Sequence, residues 1–336
     1  MSRILELGRC TLLSCIKSRT LSKQTYNITL VSCIGRYLSV SQSKNMKLVQ
    51  FSYINKPQEI RTGYVEGNGV VDVAKVDSSL PNTLLAILRN GLFDKVRQVK
   101  MKNPVPEPMS TVKLEAPITN QDKVLCIGLN YKDHCAEQNL KPPEVPMIFS
   151  KFASAVVGPC DLVKLRTEVT KKVDWEVELV VVIGKEASNV KAEEALDYVL
   201  GYTVGQDISA RDWQKERNGG QFLLGKSMDS FCPIGPWIVT SDEIGDAQTL
   251  DIKCSVNGVQ KQSSNTCQLV HKIPDVIARL SSVMTLLPGD ILLTGTPGGV
   301  GMYRNPPEYL QPGDVITSEI QKIGTLEVKV EKYVKN

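Results

Sequence analysis

No run in this chain of 336 residues approaches the ~18–20 consecutive apolar residues that carry a helix across a bilayer. Hydrophobic residues make up 42% and charged residues 23%, the composition of an ordinary water-soluble globular protein, so no membrane partner is expected. Histidine is scarce: His134 and His271 are the two in the chain, and acid–base chemistry through imidazole has few places to occur. Six cysteines follow the N-terminal stretch (Cys126, Cys135, Cys160, Cys232, Cys254 and Cys267) with no C-x-x-C spacing, which argues against a structural zinc site. They read as small apolar core residues, since a large chain bound for a reducing compartment is not built on disulfides. No Gly-x-Ser-x-Gly elbow is present. The glycine-rich segment Thr294-Gly295-Thr296-Pro297-Gly298-Gly299-Val300-Gly301 lacks a Gly-Lys-Ser/Thr ending and opens no βαβ unit, which excludes a phosphate loop and a dinucleotide fingerprint.

Acidic residues are nearly missing from the N-terminus. Up to Lys44 the chain carries Arg3, Arg9, Lys17, Arg19, Lys23, Arg36 and Lys44 against Glu6 alone, among many serines and threonines. That is the composition of a mitochondrial transit peptide. Arg36-Tyr37-Leu38-Ser39 resembles a matrix-processing site, so residues 1–38 are expected to be a presequence and the mature protein to work in the matrix. Those residues hold a net +5 of the chain's formal +4, leaving the remainder at −1. A near-neutral body offers no electrostatic footprint for nucleic acid.

After the presequence, residues 46–97 read as a small N-terminal α/β module. Short strands surround a Gly-Asn-Gly turn, and a helix over Thr83–Asn90 is closed by Gly91. Residues 98–118, rich in Pro, Lys and Met without periodicity, read as a linker. Residues 119–334 read as the catalytic domain. In it VLCIGLN is an apolar strand and VELVVVIG a run buried on both faces. A short helix, ARDWQKERN, is expected to be capped by Ser209 with Asp212 three residues on, and PDVIARLSSVMTL is a further helix. Many strands with few helices between them give an α+β, β-rich fold, not a doubly wound sheet.

The chemistry concentrates in Asp174-Trp175-Glu176-Val177-Glu178, followed by an apolar run. Residues two apart on a strand share a face, so Glu176 and Glu178 project side by side toward the core. Two carboxylates there call for a compensating cation, and oxygen ligands suit Mg²⁺, Mn²⁺ or Ca²⁺. On this segment alone a solvated face paired with Lys171 and Lys172 remains open. Asp207, at a strand-to-helix junction, favours the metal by supplying a third carboxylate. Arg211 and Gln214 would face the anionic end of a substrate. Lys226, in an apolar run, would neutralise an enolate or deliver a proton; a snorkelling lysine at a strand end is the alternative. The loop amides around Thr296, with its hydroxyl, form a candidate carboxylate cradle. His134 lies three residues before Glu137, neighbours on a helical turn, so Glu137 would orient the imidazole as a base. The Pro-rich stretch from Gln138 to Pro146 reads as a lid. His271 reads as structural.

In that order, GLNYKDH with Glu137, DWEVELVVVIG, GYTVGQDISARDWQ, LLGKS and LLTGTPGGVG resemble the fumarylacetoacetate hydrolase family over about residues 46–334. The resemblance implies a mixed β-sandwich roll of that family's C-terminal type, a homodimer, and Mg²⁺ or a similar cation held by Glu176, Glu178 and Asp207. It places substrate contacts on Arg211, Gln214 and Thr296, and catalytic roles on Lys226 and the His134–Glu137 dyad. It implies enol chemistry on a small 2-oxo acid. Keto–enol tautomerisation of oxaloacetate is the leading expectation and C–C hydrolysis of a 3-acylpyruvate the second, with oxaloacetate decarboxylation a further family outcome. A non-catalytic metal-binding scaffold dimer is the alternative from another class, but a scaffold needs neither Lys226 nor the dyad.

Overall fold

A computed structural model describes residues 45–335; the expected presequence at 1–38 lies outside the described residues. A 12-stranded mixed sheet, a 5-stranded sheet and a 2-stranded ladder carry the fold, with short helices between, in keeping with an α+β, β-rich roll. The strand Val177–Ile183 is buried at every position, as its unbroken apolar run predicts. Its odd residues Val177, Leu179, Val181 and Ile183 enter the core between the two sheets, while Val180 and Val182 enter a second core under the N-terminal helices. Each such side chain contributes ~1.5–3 kcal/mol on burial, so this strand is pinned from both faces. Glu178 has the parity of the second core, and the site opens where that core ends.

Residues 45–335 fall within one compact unit. The strand Lys47–Tyr53 pairs antiparallel with Cys232–Thr240, Lys47 opposite Val239. Within the expected linker, Phe93–Met101 completes a helix and Val112–Glu115 forms a strand on the other part of Lys47–Tyr53. A four-residue strand flanked by prolines leaves little pattern to read, yet its backbone donors and acceptors need partners as much as any other.

Smaller departures follow the same logic. The helix expected at PDVIARLSSVMTL spans Ile273–Ser281. Residues Ala192–Tyr198 form a 3₁₀ segment. The Ser209 cap does not form: the helix Arg211–Lys215 starts from Ala210 without a side-chain cap. Ser209 donates to the Asp207 carbonyl at 2.8 Å, and Asp212 accepts from the Thr170 hydroxyl at 2.6 Å.

Candidate active site and metal centre

Strand register brings the three acids together. Val177–Ile183 pairs antiparallel with Val199–Gln206, Val177 opposite Gln206 and Glu178 opposite Gly205. The Asp207 amide donates to the Glu176 carbonyl at 2.9 Å, extending the ladder one step and setting Asp207 across from Glu176. Directly opposed residues of an antiparallel pair share a face. Both chains then leave the large sheet, since Val173–Asp174 pairs instead with Ser209–Ala210, and the carboxylates project into the gap so made. Donor atoms of Glu176, Glu178 and Asp207, all buried, lie within 4.8 Å of one another.

Three cations face them. Lys226 Nζ lies 2.8 Å from Glu176 and 2.6 Å from Asp207. Its four-residue helix packs closely on the preceding one, where a Cβ at Gly225 would meet the Gln214 backbone nitrogen at 2.5 Å. Arg211 Nη1 sits 2.6 Å from Glu176, and its Nε donates to Asp174 at 2.8 Å. Arg211 Nη2 is buried without a partner among the described residues. Lys151, fully buried, pairs with Asp207 and donates to the Ile208 carbonyl at 3.1 Å. Lys151 and Asp174 were not singled out from sequence: Lys151 stands at the end of an unremarkable strand, Met147–Lys151. The tetrad Asp174, Glu176, Glu178 and Asp207 is thus met by three cations, one fewer than full ionisation of all four acids would need.

The charges divide unevenly. Burial raises the pKa of Glu176, but Lys226 and Arg211 outweigh it and hold the group below the ordinary carboxylate range. Glu178 goes the other way: burial, then the neighbouring Asp207 and Glu176 charges, push it well above its usual value. A 2.6 Å bond from the Gly295 amide and the Lys226 charge oppose this without reversing it. Burial works against the Lys226 ammonium, yet Asp207 and Glu176 raise its pKa overall. An oxygen-only set that cannot ionise completely by itself fits a hard divalent cation.

The amides of the TGTPGGVG loop serve protein carboxylates. Gly295 N–H goes to Glu178, Gly299 N–H to Glu137 at 2.8 Å, and Gly301 N–H to Asp174 at 2.7 Å. The Thr296 hydroxyl donates to the Val177 carbonyl at 3.0 Å and accepts from Gln262 at 2.8 Å. Gly295 has a φ of +106°, and a Cβ there would strike Asn130 Cβ at 2.7 Å. Asn130 in turn donates to the Thr294 carbonyl at 2.8 Å and accepts from the His271 amide at 2.8 Å. His271 therefore serves the structure through its backbone.

His134 and Glu137 lie on the helix Lys132–Glu137, with Nδ1 to Oε2 at 2.8 Å. Gln138 Nε2 lies 2.9 Å from His134 Nε2. One cavity of about 190 Å³ is lined by His134, Glu176, Glu178, Asp207, Arg211, Gln214, Lys226 and Thr296, with Leu140, Met147, Phe149, Phe222 and Tyr303 around them. That is the room of roughly six water molecules, sized for a small acid. Glu137 is the one expected site residue that does not line it.

The sequence pattern of the fumarylacetoacetate (FAA) hydrolase C-terminal family matches residues 123–331. The chain belongs to the fumarylacetoacetate hydrolase family. A rat relative named oxaloacetate tautomerase Fahd2a, mitochondrial, is 50% identical over 293 residues, covering 85% of this chain and 92% of the relative. Among solved members of the family, the fumarylacetoacetate hydrolase of Exiguobacterium antarcticum superposes with a TM-score of 0.75 at 34% identity, covering 86% of this chain and 100% of its own. The maleylpyruvate hydrolase of Sphingobium sp. SYK-6, solved with manganese(II) and pyruvate, gives a TM-score of 0.70 at 32% identity, with coverage of 86% and 100%.

Proposed function

We propose that this member of the family is a divalent-metal-dependent oxaloacetate tautomerase of the mitochondrial matrix, working as a homodimer with Mg²⁺. The single observation that carries the chemistry is the buried carboxylate triad beside Lys226 and the partnerless Arg211 Nη2, in a cavity sized for a small acid. The substrate and compartment are supported by the rat relative's name. Manganese in the maleylpyruvate hydrolase complex supports a cation at the triad, and Mn²⁺ or Ca²⁺ would also suit its oxygen donors.

Glu176, Glu178 and Asp207 would hold the cation, which supplies polarisation of the substrate's 2-oxo and carboxylate oxygens. Arg211 Nη2 binds the substrate carboxylate, its guanidinium held by Asp174 and Glu176, and Gln214 lines the same wall. Lys226 Nζ stays an ammonium and donates to the oxygen that bears the charge once the enol proton has left. Solvent water takes the enol proton, and a proton returned from solvent to C3 completes the keto form. Apolar Leu140, Met147, Phe149 and Phe222 limit water around these groups. The bonded His134–Glu137 pair favours a second reading, hydrolysis of a 3-acylpyruvate, in which His134 Nε2 takes a proton from water. A scaffold dimer would have no use for the buried cations Arg211 and Lys226 lining a cavity.

The test is a panel of 2-oxo acids. Enol absorbance, cleavage products and carbon dioxide are followed separately on the purified protein. Enol–keto interconversion of oxaloacetate outpacing cleavage of every acylpyruvate supports the proposal; the reverse order refutes it.

A further inference from the structure

The dyad carries a bond that general-base catalysis does not need. Glu137 is acceptor-only toward His134, so Nδ1 carries the imidazole hydrogen and Nε2, in the neutral ring, offers a single in-plane lone pair. That lone pair is already taken by Gln138 Nε2 at 2.9 Å. The orientation of the Gln138 amide is set from its far side. Lys215 Nζ donates to the Tyr303 hydroxyl oxygen at 2.8 Å, and Tyr303 donates to Gln138 Oε1 at 2.8 Å. An ammonium only donates, so the Tyr303 hydrogen is directed to Gln138, and the group it meets must be the amide oxygen. Hydrogen bonds thus run one way from Lys215 through Tyr303, Gln138 and His134 to Glu137, which also accepts from Gly299. As this chain stands, His134 Nε2 is capped.

We infer that Gln138 is a positioning residue that sets reaction selectivity, withholding the His134 lone pair from water and so favouring tautomerisation over C–C hydrolysis in one shared site. This rests on the proposed tautomerase reading. Hydrolysis of a 3-acylpyruvate needs the lone pair. Water gives a proton to Nε2 as its oxygen adds to the distal acyl carbon. The bond from that carbon to C3 then breaks, its electron pair moves to C3, and the imidazolium proton follows to yield pyruvate and a carboxylic acid. Tautomerisation moves a proton between the 2-oxygen and C3 with Lys226 beside the charge, and leaves Nε2 unused. Breaking the Gln138 bond therefore burdens one path and spares the other.

Gln138→Met keeps length and removes the donor. Since one net hydrogen bond is worth about fivefold in an equilibrium, the ratio of acylpyruvate hydrolysis to oxaloacetate tautomerisation, each as kcat, should rise about fivefold. Tyr303→Phe, which frees the amide to turn, should move the ratio the same way even if the first variant folds poorly. Adding Glu137→Gln to Gln138→Met should abolish the gain. With two histidines in the chain, ¹⁵N-histidine NMR on a His271→Gln background reads His134 alone. The wild type should show a protonated Nδ1 and a hydrogen-bonded, bare Nε2, whose resonance moves downfield in Gln138→Met. An unchanged or lower ratio in both variants, or a proton on Nε2 in the wild type, would overturn the inference. A wild type without tautomerase activity would instead defeat the functional reading beneath it.

Discussion

Replacing Lys151 with Met tests how the acid cluster is held, because this lysine is fully buried and has one charged partner, Asp207. Removing one member of a buried ion pair costs about 3–5 kcal/mol, most of it from the charge left behind. Asp207 keeps Lys226 at 2.6 Å, but Lys226 is shared with Glu176, so the lower half of that range applies. For a chain of this size, the melting temperature of ion-free protein should fall by roughly 6 °C. A divalent cation at the triad would take over the neutralising role. Any competent site also gains about 2.7 kcal/mol of stability at a hundredfold excess over Kd. The informative quantity is therefore the wild-type-to-variant gap, measured by thermal melting in EDTA and again in excess Mg²⁺ or Mn²⁺. The gap should be wide in EDTA and clearly narrower with the ion. Equal gaps would show that no cation reaches Asp207. A gap under about 1 kcal/mol in EDTA would show that Lys151 does not compensate it.

Three further outcomes are expected. Burial and the Asp207 and Glu176 charges raise the Glu178 pKa, so the neutral acid stabilises the ion-free fold at low pH and that stability is lost as pH rises through the raised value. Glu178→Gln cannot ionise, and in EDTA its melting temperature should fall less than the wild type's from acid to mildly alkaline pH; parallel curves would contradict the raised pKa. Glu137→Gln should lower acylpyruvate hydrolysis by roughly 10²–10⁴-fold and oxaloacetate tautomerisation far less, while Lys226→Ala should cripple both; equal losses in Glu137→Gln would give the dyad to the shared proton transfer. Residues 1–38 fused to a reporter should carry it into mitochondria, and a reporter left in the cytosol would reject the presequence.

The parts of the site legible in the sequence were those with a local rule behind them. Period-two alternation put Glu176 and Glu178 on one face, and helical spacing paired His134 with Glu137. What stayed hidden depends on register between distant strands. Nothing local says that Asp207 falls across from Glu176, or that Lys151 reaches Asp207 from a strand 56 residues earlier. The amides after Thr294 looked free because their acceptors, Glu178, Glu137 and Asp174, come from other segments. The β-rich class followed from the apolar runs. Prolines and short segments resemble a linker until Val112–Glu115 is seen to complete a sheet.

In the proposed chemistry the carboxylate triad acts on the enol through a divalent cation. The most direct test is the rate at which enol-oxaloacetate loses its absorbance in the presence of EDTA-stripped protein titrated with Mg²⁺ or Mn²⁺. The stripped protein should have no activity, and activity should return in proportion to added ion and be complete at one ion per chain. A stripped protein that ketonises oxaloacetate at the full rate would contradict the proposed chemistry.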